Sequence, residues 1–247
     1  MITANVLART FHIQYGGGTG TAFTIDHEGR QYLVTARHVV EDIGPGGTLR
    51  VFHGKQWKTL QVELVGMGPG DVDVAVLACR IRLSENLPLE ASADGIVPGQ
   101  IVHFLGFPFG WDGGGEYINS DFPFAFIKAG VLSAIATGAA RAEGARIYID
   151  GHNNEGFSGG PVVFVPSGQP PSEANKFKVA GVVTGYPGLL KPIVDGDGQP
   201  ITGADNEPAL YFKENPGFVV AFDIRHAIDL IEANPIGFEL ADAPGSP

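Results

Sequence analysis

The chain has 247 residues, of which 44% are hydrophobic and only 17% charged, with a formal net charge of −11. Enough apolar surface is present to bury a core, which excludes a disordered chain, and an acidic balance without any Lys/Arg cluster excludes a nucleic-acid surface. Cys79 is the single cysteine, which excludes an intrachain disulfide and a thiolate metal cluster; within the apolar run Val74-Ala75-Val76-Leu77-Ala78-Cys79 it reads as a small buried hydrophobe.

In chain order, residues 1–9 carry no basic segment leading into a long apolar stretch, so no secretory signal is read there. No run approaches the ~18 apolar residues that a membrane span needs. An intracellular, cytoplasmic address is the expectation. The 36 glycines and 18 prolines then demand many turns, which suits short strands better than long helices. Strand-like runs recur at 11–15, 19–25, 31–35, 48–52, 60–65 and 72–79, with hairpin chemistry at Asp26-His27-Glu28-Gly29 and a longer turn at Gly44-Pro45-Gly46-Gly47. Residues 84–99 have little periodicity and read as a crossing segment. The plan then repeats, with runs at 101–107, 124–135, 146–150, 161–165, 179–184 and 218–222. Six runs, a connector and six more predict an all-β chain of two six-stranded antiparallel barrels. The corresponding division is 1–83 for the first barrel, 84–99 for the connector, 100–222 for the second barrel and 223–247 for a helix and tail. Asp223 can cap that helix, Ile224, Ala227, Ile228 and Ile231 recur at helical spacing, and Asn234-Pro235 stops it.

Two stretches read as surface insertions, the Pro/Ser/Gly-rich 166–176 and the glycine-rich 187–217. Within the second, Asp195-Gly196-Asp197-Gly198 resembles a calcium loop only superficially, because the third early ligand and the bidentate acid at the twelfth position are missing. A plain turn is the better reading, and neither a metal nor a cofactor is expected.

Three segments carry chemistry. Gly156-Phe157-Ser158-Gly159-Gly160-Pro161 places a serine among glycines. A serine hydroxyl is a weak nucleophile unless a base takes its proton and donors stabilise the oxyanion that follows. Glycines let the chain turn sharply there, and the amides of Gly156 and Ser158 are the expected donors. In Tyr32-Leu33-Val34-Thr35-Ala36-Arg37-His38-Val39-Val40 an apolar strand ends in a turn carrying His38. Histidine is the usual base, and none of the six other histidines follows such a strand-to-turn boundary. In Asp71-Val72-Asp73-Val74-Ala75-Val76-Leu77, Asp73 enters an apolar run. That position is costly unless the charge is used, for example by an imidazole N–H, whereas Asp71 reads as a solvated turn residue.

The order His38, Asp73, Ser158, split two and one between the halves, resembles the trypsin-like peptidases. The likeness is strongest to their bacterial disulfide-free branch, which includes the HtrA-like enzymes, and covers roughly residues 10–232. Three further motifs join it: Gly18-Thr19-Gly20-Thr21-Ala22-Phe23, Phe104-Leu105-Gly106-Phe107-Pro108-Phe109-Gly110 and Ala129-Gly130-Val131-Leu132-Ser133. The resemblance implies perpendicular barrels with the triad in the cleft between them. It also implies acyl transfer through a covalent acyl-enzyme, with a protein or peptide as substrate.

Departures from the family pattern matter as much. Phe157 stands where Asp or Asn is usual before the nucleophile, so no activation by a newly cleaved N-terminal amine is expected, and the oxyanion loop must be held in another way. No PDZ module is read after residue 235. By resemblance, His152 lies at the base of the primary specificity pocket, with Thr184 and Tyr186 on one wall. Without a carboxylate at that base, a Lys or Arg preference is disfavoured. Tyr186 could favour a small or medium side chain, and His152 could equally bond an acidic or amide one.

A reading from a different class keeps the fold and uses the cleft for peptide recognition without chemistry. An esterase elbow, Gly-x-Ser-x-Gly, matches Gly156 to Gly160, but it would need a helix after the serine and the order Ser, Asp, His.

Overall fold

In a computed structural model of the chain, residues 2–85, 87–115, 119–136, 145–168, 177–203, 205 and 207–240 are described. The first half contains α1 (Ala4–Leu7) and six strands: β1 (Thr10–Tyr15), β2 (Gly18–His27), β3 (Arg30–Thr35), β4 (Thr48–His53), β5 (Gln56–Met67) and β6 (Ala75–Cys79). They pair antiparallel in the order β3-β2-β1-β4-β5-β6, and β6 returns to β3 to close the barrel. After a two-residue strand β7 (Glu90–Ala91) come β8 (Ile101–Gly106), β9 (Phe126–Ala136), β10 (Arg146–Asp150), β11 (Pro161–Phe164) and β12 (Lys178–Gly185). An exposed ribbon of β13 (Leu189–Pro192) and β14 (Tyr211–Glu214) precedes β15 (Phe218–Asp223), α2 (Arg225–Ala233) and β16 (Phe238–Glu239). The second barrel closes in the order β8-β9-β10-β15-β12-β11, with β11 back against β8. Each barrel has six strands, as the run counts predict. Outside them, β7 adds in parallel to β12 and β16 adds to β3.

Strand periodicity accounts for three separate apolar clusters. On β6, Ala75, Leu77 and Cys79 fill the first barrel, whereas Val76 and Ala78 face outward into a cluster shared with the second barrel. Both faces are covered, so this strand reads as an unbroken apolar run. On β12, Ala180 and Val183 likewise fill the second barrel while Val179 and Val182 join the shared cluster. Helix α2 closes that cluster with Ile231 and Ala227, following Ile224. The Asp223 carboxylate accepts the Arg225 amide at 2.8 Å, the capping role expected of it.

The connector is pinned by a buried arginine. Arg9 forms a bidentate ion pair with Asp26 and also donates from Nε and Nη2 to the Leu87 carbonyl, at 2.9 and 2.7 Å. Guanidinium geometry suits this, because its remaining donors must all find acceptors once the group leaves water.

Of the stretch 166–176, residues 169–176 lie outside the described residues. The Asp195 to Gly198 segment is a turn whose Asp195 carboxylate accepts the amides of Asp197 and Gln199 at 2.9 Å each. Among the described residues, no helix is long and apolar enough to cross a membrane.

Candidate active site

β3 delivers His38 to the cleft. The strand ends at Thr35, Ala36 is buried, and a single 3-10 turn (Arg37–Val39) lifts the His38 side chain toward solvent. Asp73 lies two residues before β6, between the fully buried Val72 and Val74, so its backbone is anchored on both sides. Its carboxylate meets His38 twice. Oδ2 is 2.7 Å from the ring Nδ1, and Oδ1 accepts the His38 backbone amide at 2.9 Å.

Arg37, unexplained by the sequence alone, has a structural task. Its guanidinium donates to the carbonyls of Gly68 and Gly70, both at 2.9 Å. This ties the histidine turn to the loop that carries Asp73. Asp71, expected as a solvated turn residue, is exposed but pairs with Arg146 of β10, a link between the two barrels.

Ser158 enters from the second barrel, on the turn before β11. Its hydroxyl donates to the Thr184 carbonyl at 3.3 Å, and among the described residues it makes no hydrogen bond to His38. Both side chains nevertheless line one cleft, together with Gly156, Glu155, Phe109 and Thr19. The turn is glycine-dependent at two points: Gly156 (φ 98°) and Gly159 (φ 85°) are left-handed, and a Cβ there would lie 2.2 Å from Phe107 O and 2.0 Å from Thr21 O. Among the described residues, neither the Gly156 nor the Ser158 amide donates to a protein acceptor.

Phe157 is fully buried, edge-on to Phe104 with ring centroids 5.2 Å apart. Lys128 Nζ lies 5.2 Å from the centre of its ring, donating to the His152 carbonyl at 2.7 Å and to Asn154. Burial pulls the Lys128 ammonium below its ordinary pKa. The loop before Ser158 is thus held by core packing and a half-buried ammonium rather than by a carboxylate. Lys128 had no signal in the sequence beyond its place in an apolar strand.

The three expected pocket residues make separate contacts. The His152 ring is exposed and its carbonyl is what Lys128 binds. Thr184 touches Ser158 through its carbonyl, and Tyr186 lies under Lys213, whose Nζ is 5.2 Å from the ring centre. None of the three lines the cleft shared by His38 and Ser158. Phe109, which does, escaped the sequence reading; it is a left-handed non-glycine residue (φ 55°), and its ring stands 57% exposed beside Trp111.

Two closed six-stranded antiparallel barrels followed by a C-terminal helix make this a chymotrypsin-like fold. The Trypsin-like peptidase domain model matches residues 19–169, and the chain belongs to that family. Among curated proteins none matches the chain by sequence. Among solved structures, an inactive serine-to-alanine mutant of Rv3671c from M. tuberculosis H37Rv is similar with a TM-score of 0.56 at 18% identity, covering 98% of this chain and 92% of that one. The HtrA-type protease AlgW, solved with a tripeptide, is similar with a TM-score of 0.54 at 22% identity, covering 93% of this chain and 62% of AlgW. At such identities the likeness is one of fold, and the chain spans less than two thirds of AlgW.

Proposed function

We propose that the chain is a serine endopeptidase that hydrolyses protein or peptide substrates through Ser158, His38 and Asp73. The observation that carries the reading is the double contact of Asp73 with His38 in the cleft that also holds Ser158. With Nδ1–H directed at Asp73, the His38 ring presents Nε2 as the acceptor. Rotation of the Ser158 hydroxyl away from Thr184 O would bring its proton toward that nitrogen. In acylation, Ser158 Oγ bonds to the substrate carbonyl carbon while His38 takes the hydroxyl proton. Collapse of the tetrahedral intermediate breaks the C–N bond as His38 returns the proton to the leaving amine. Water then repeats the sequence on the acyl-enzyme, releasing the acid and restoring Ser158. The unpartnered amides of Gly156 and Ser158 are the donors we assign to the developing oxyanion. His152, Thr184 and Tyr186 stay in this reading only as a pocket beside the cleft rather than within it, with the Thr184 contact to Ser158 as its support.

One observation favours a second reading, a silent or latent peptide-binding module: the Ser158 hydroxyl bonds Thr184 O instead of His38. Labelling with a fluorophosphonate probe separates the two. The peptidase reading expects labelling of the wild-type protein and its loss in Ser158→Ala; absence of labelling in folded wild type supports the second.

A further inference from the structure

Four consecutive carbonyls in the serine loop are hydrogen-bonded. Glu155 O accepts from Phe109 N at 2.9 Å, Phe157 O from Gly160 N at 2.9 Å and Ser158 O from Thr21 N at 2.8 Å. Gly156 O accepts from the Thr21 hydroxyl at 2.7 Å, with the Phe107 amide more distant at 3.4 Å. In a trans peptide the C=O and N–H point in opposite directions, so fixing each carbonyl fixes the amide on its other side. The loop therefore has every peptide plane set while the Gly156 and Ser158 amides stay free to face the cleft.

Thr21 supplies two of these five donors, and its hydroxyl is the only side-chain group among them. It is fully buried on β2, in the opposite barrel from Ser158. The hydroxyl also accepts the Phe107 amide at 3.2 Å, and the Thr21 carbonyl accepts Thr35 Oγ1 at 2.8 Å, at the end of the strand that leads to His38. Room for this side chain comes from Gly106, where a Cβ would stand 2.9 Å from Thr21 Oγ1 and 2.7 Å from the Phe157 ring.

We propose that Thr21 is a positioning residue of the oxyanion loop: its hydroxyl sets the Gly156–Phe157 peptide plane, which joins the two planes that carry the Gly156 and Ser158 amides, and so keeps those flanking amides in register with the cleft. Phe157 has no charge with which to anchor the loop, and a hydroxyl from the first barrel takes that part. Without it, the Gly156 carbonyl keeps only the long contact from Phe107, and a partly buried acceptor left short of a donor drives local rearrangement.

The kinetic arm of the test rests on the peptidase reading; the exchange arm does not. Thr21→Val removes the hydroxyl and keeps the branched shape, whereas Thr21→Ser keeps the hydroxyl. In Thr21→Val, kcat on a peptide substrate is expected to fall roughly 10- to 100-fold, less than the ~10²–10³ lost with an oxyanion donor itself, with KM changed less than about 3-fold. Thr21→Ser restores most of the loss. Amide hydrogen exchange at Phe107, Phe157, Gly159 and Gly160 is expected to quicken in the valine variant and not in the serine one. Wild-type kcat and exchange in Thr21→Val would overturn the proposal, as would equal impairment of both variants, which would mark a packing role. If the wild type neither cleaves nor labels with fluorophosphonate, the peptidase reading has failed and exchange alone decides: unaltered protection in Thr21→Val overturns the clamp. Should the valine variant not fold, Thr21→Cys, a weak donor, replaces it with the same expectations.

Discussion

Asp73 engages His38 at two points, ring and backbone amide, so it orients the side chain and pins the turn that carries it. Asp73→Asn keeps the size and shape but can present an NH₂ group to Nδ1, which favours the tautomer with its proton on Nε2. Turnover of a peptide substrate is expected to fall by about 10³–10⁴ with the fold intact. Steady-state kinetics beside a circular dichroism melt checks this; a loss under tenfold would mean that Asp73 is not needed to orient the base.

Arg37 holds that arrangement from outside through the Gly68 and Gly70 carbonyls. Arg37→Ala removes two charge-assisted bonds at a partly solvated site, an expected stability loss of about 1–2 kcal/mol. Because the loop leads directly to Asp73, kcat should drop with little change in KM. Arg37→Lys, with a compact ammonium in place of the planar fork, should recover only part of it. Denaturant titration and kinetics on the same samples report both effects, and unchanged kcat in the alanine variant would show that the loop holds Asp73 unaided.

His12 is expected to make the core acid-sensitive. Its ring is 3% exposed, stacked on Phe107 at 4.6 Å and 8°, and edge-on to Trp57 at 4.8 Å. Burial pushes its pKa from 6.5 down to about 4, against an opposing pull from Asp112. Above pH 6.5 neither the folded nor the unfolded state holds the proton, and stability is complete. Between 6.5 and about 4 the unfolded chain takes up a proton that the folded one refuses, so stability falls with pH, by about 3 kcal/mol in all. Below that both states are protonated and this loss levels off. His12→Phe keeps an aromatic stack without a titrating group; its unfolding free energy should fall less steeply across that window. Parallel slopes for the two proteins would assign the acid sensitivity elsewhere.

The β13–β14 ribbon stands away from the barrels, with Leu190 71% and Tyr211 53% exposed. Leu189 and Glu214 are paired across it, so residues 190–213 can be replaced by a two-residue Asn-Gly turn. The loss includes the Lys213 contact with Tyr186, worth about 0.5–1 kcal/mol at an exposed site. The unfolding free energy should therefore change by no more than about 1 kcal/mol. A larger fall in denaturant unfolding would mean that the ribbon braces the second barrel.

All but one of the twelve barrel strands were legible because they bury a face, and burial imposes alternation or an unbroken apolar run; β9 buries only Leu132 and was read from its apolar residues instead. The ribbon was not legible: its strands are exposed, and nothing forces a pattern on them. Short strands β7 and β16 escaped for a related reason, since two residues held by backbone bonds carry no side-chain signature. At the site, His38, Asp73 and Ser158 stood out through local context, a polar group at the end of an apolar strand or among glycines. Arg37, Lys128 and Thr21 did not, because their partners are distant in the chain and mostly backbone carbonyls, and a carbonyl has the same chemistry in every residue.

From the sequence alone came the strand pattern and the order of His, Asp and Ser, properties of residue type and spacing, while the family resemblance marked Phe157 as standing where Asp or Asn is usual. How the loop around that phenylalanine is held was decided only in three dimensions. Phe157 packs into the second barrel, and Thr21 reaches it from the first, 135 residues away in the chain. Hydrogen bonds between barrels depend on how two closed sheets meet, a relation that no local run of residues encodes.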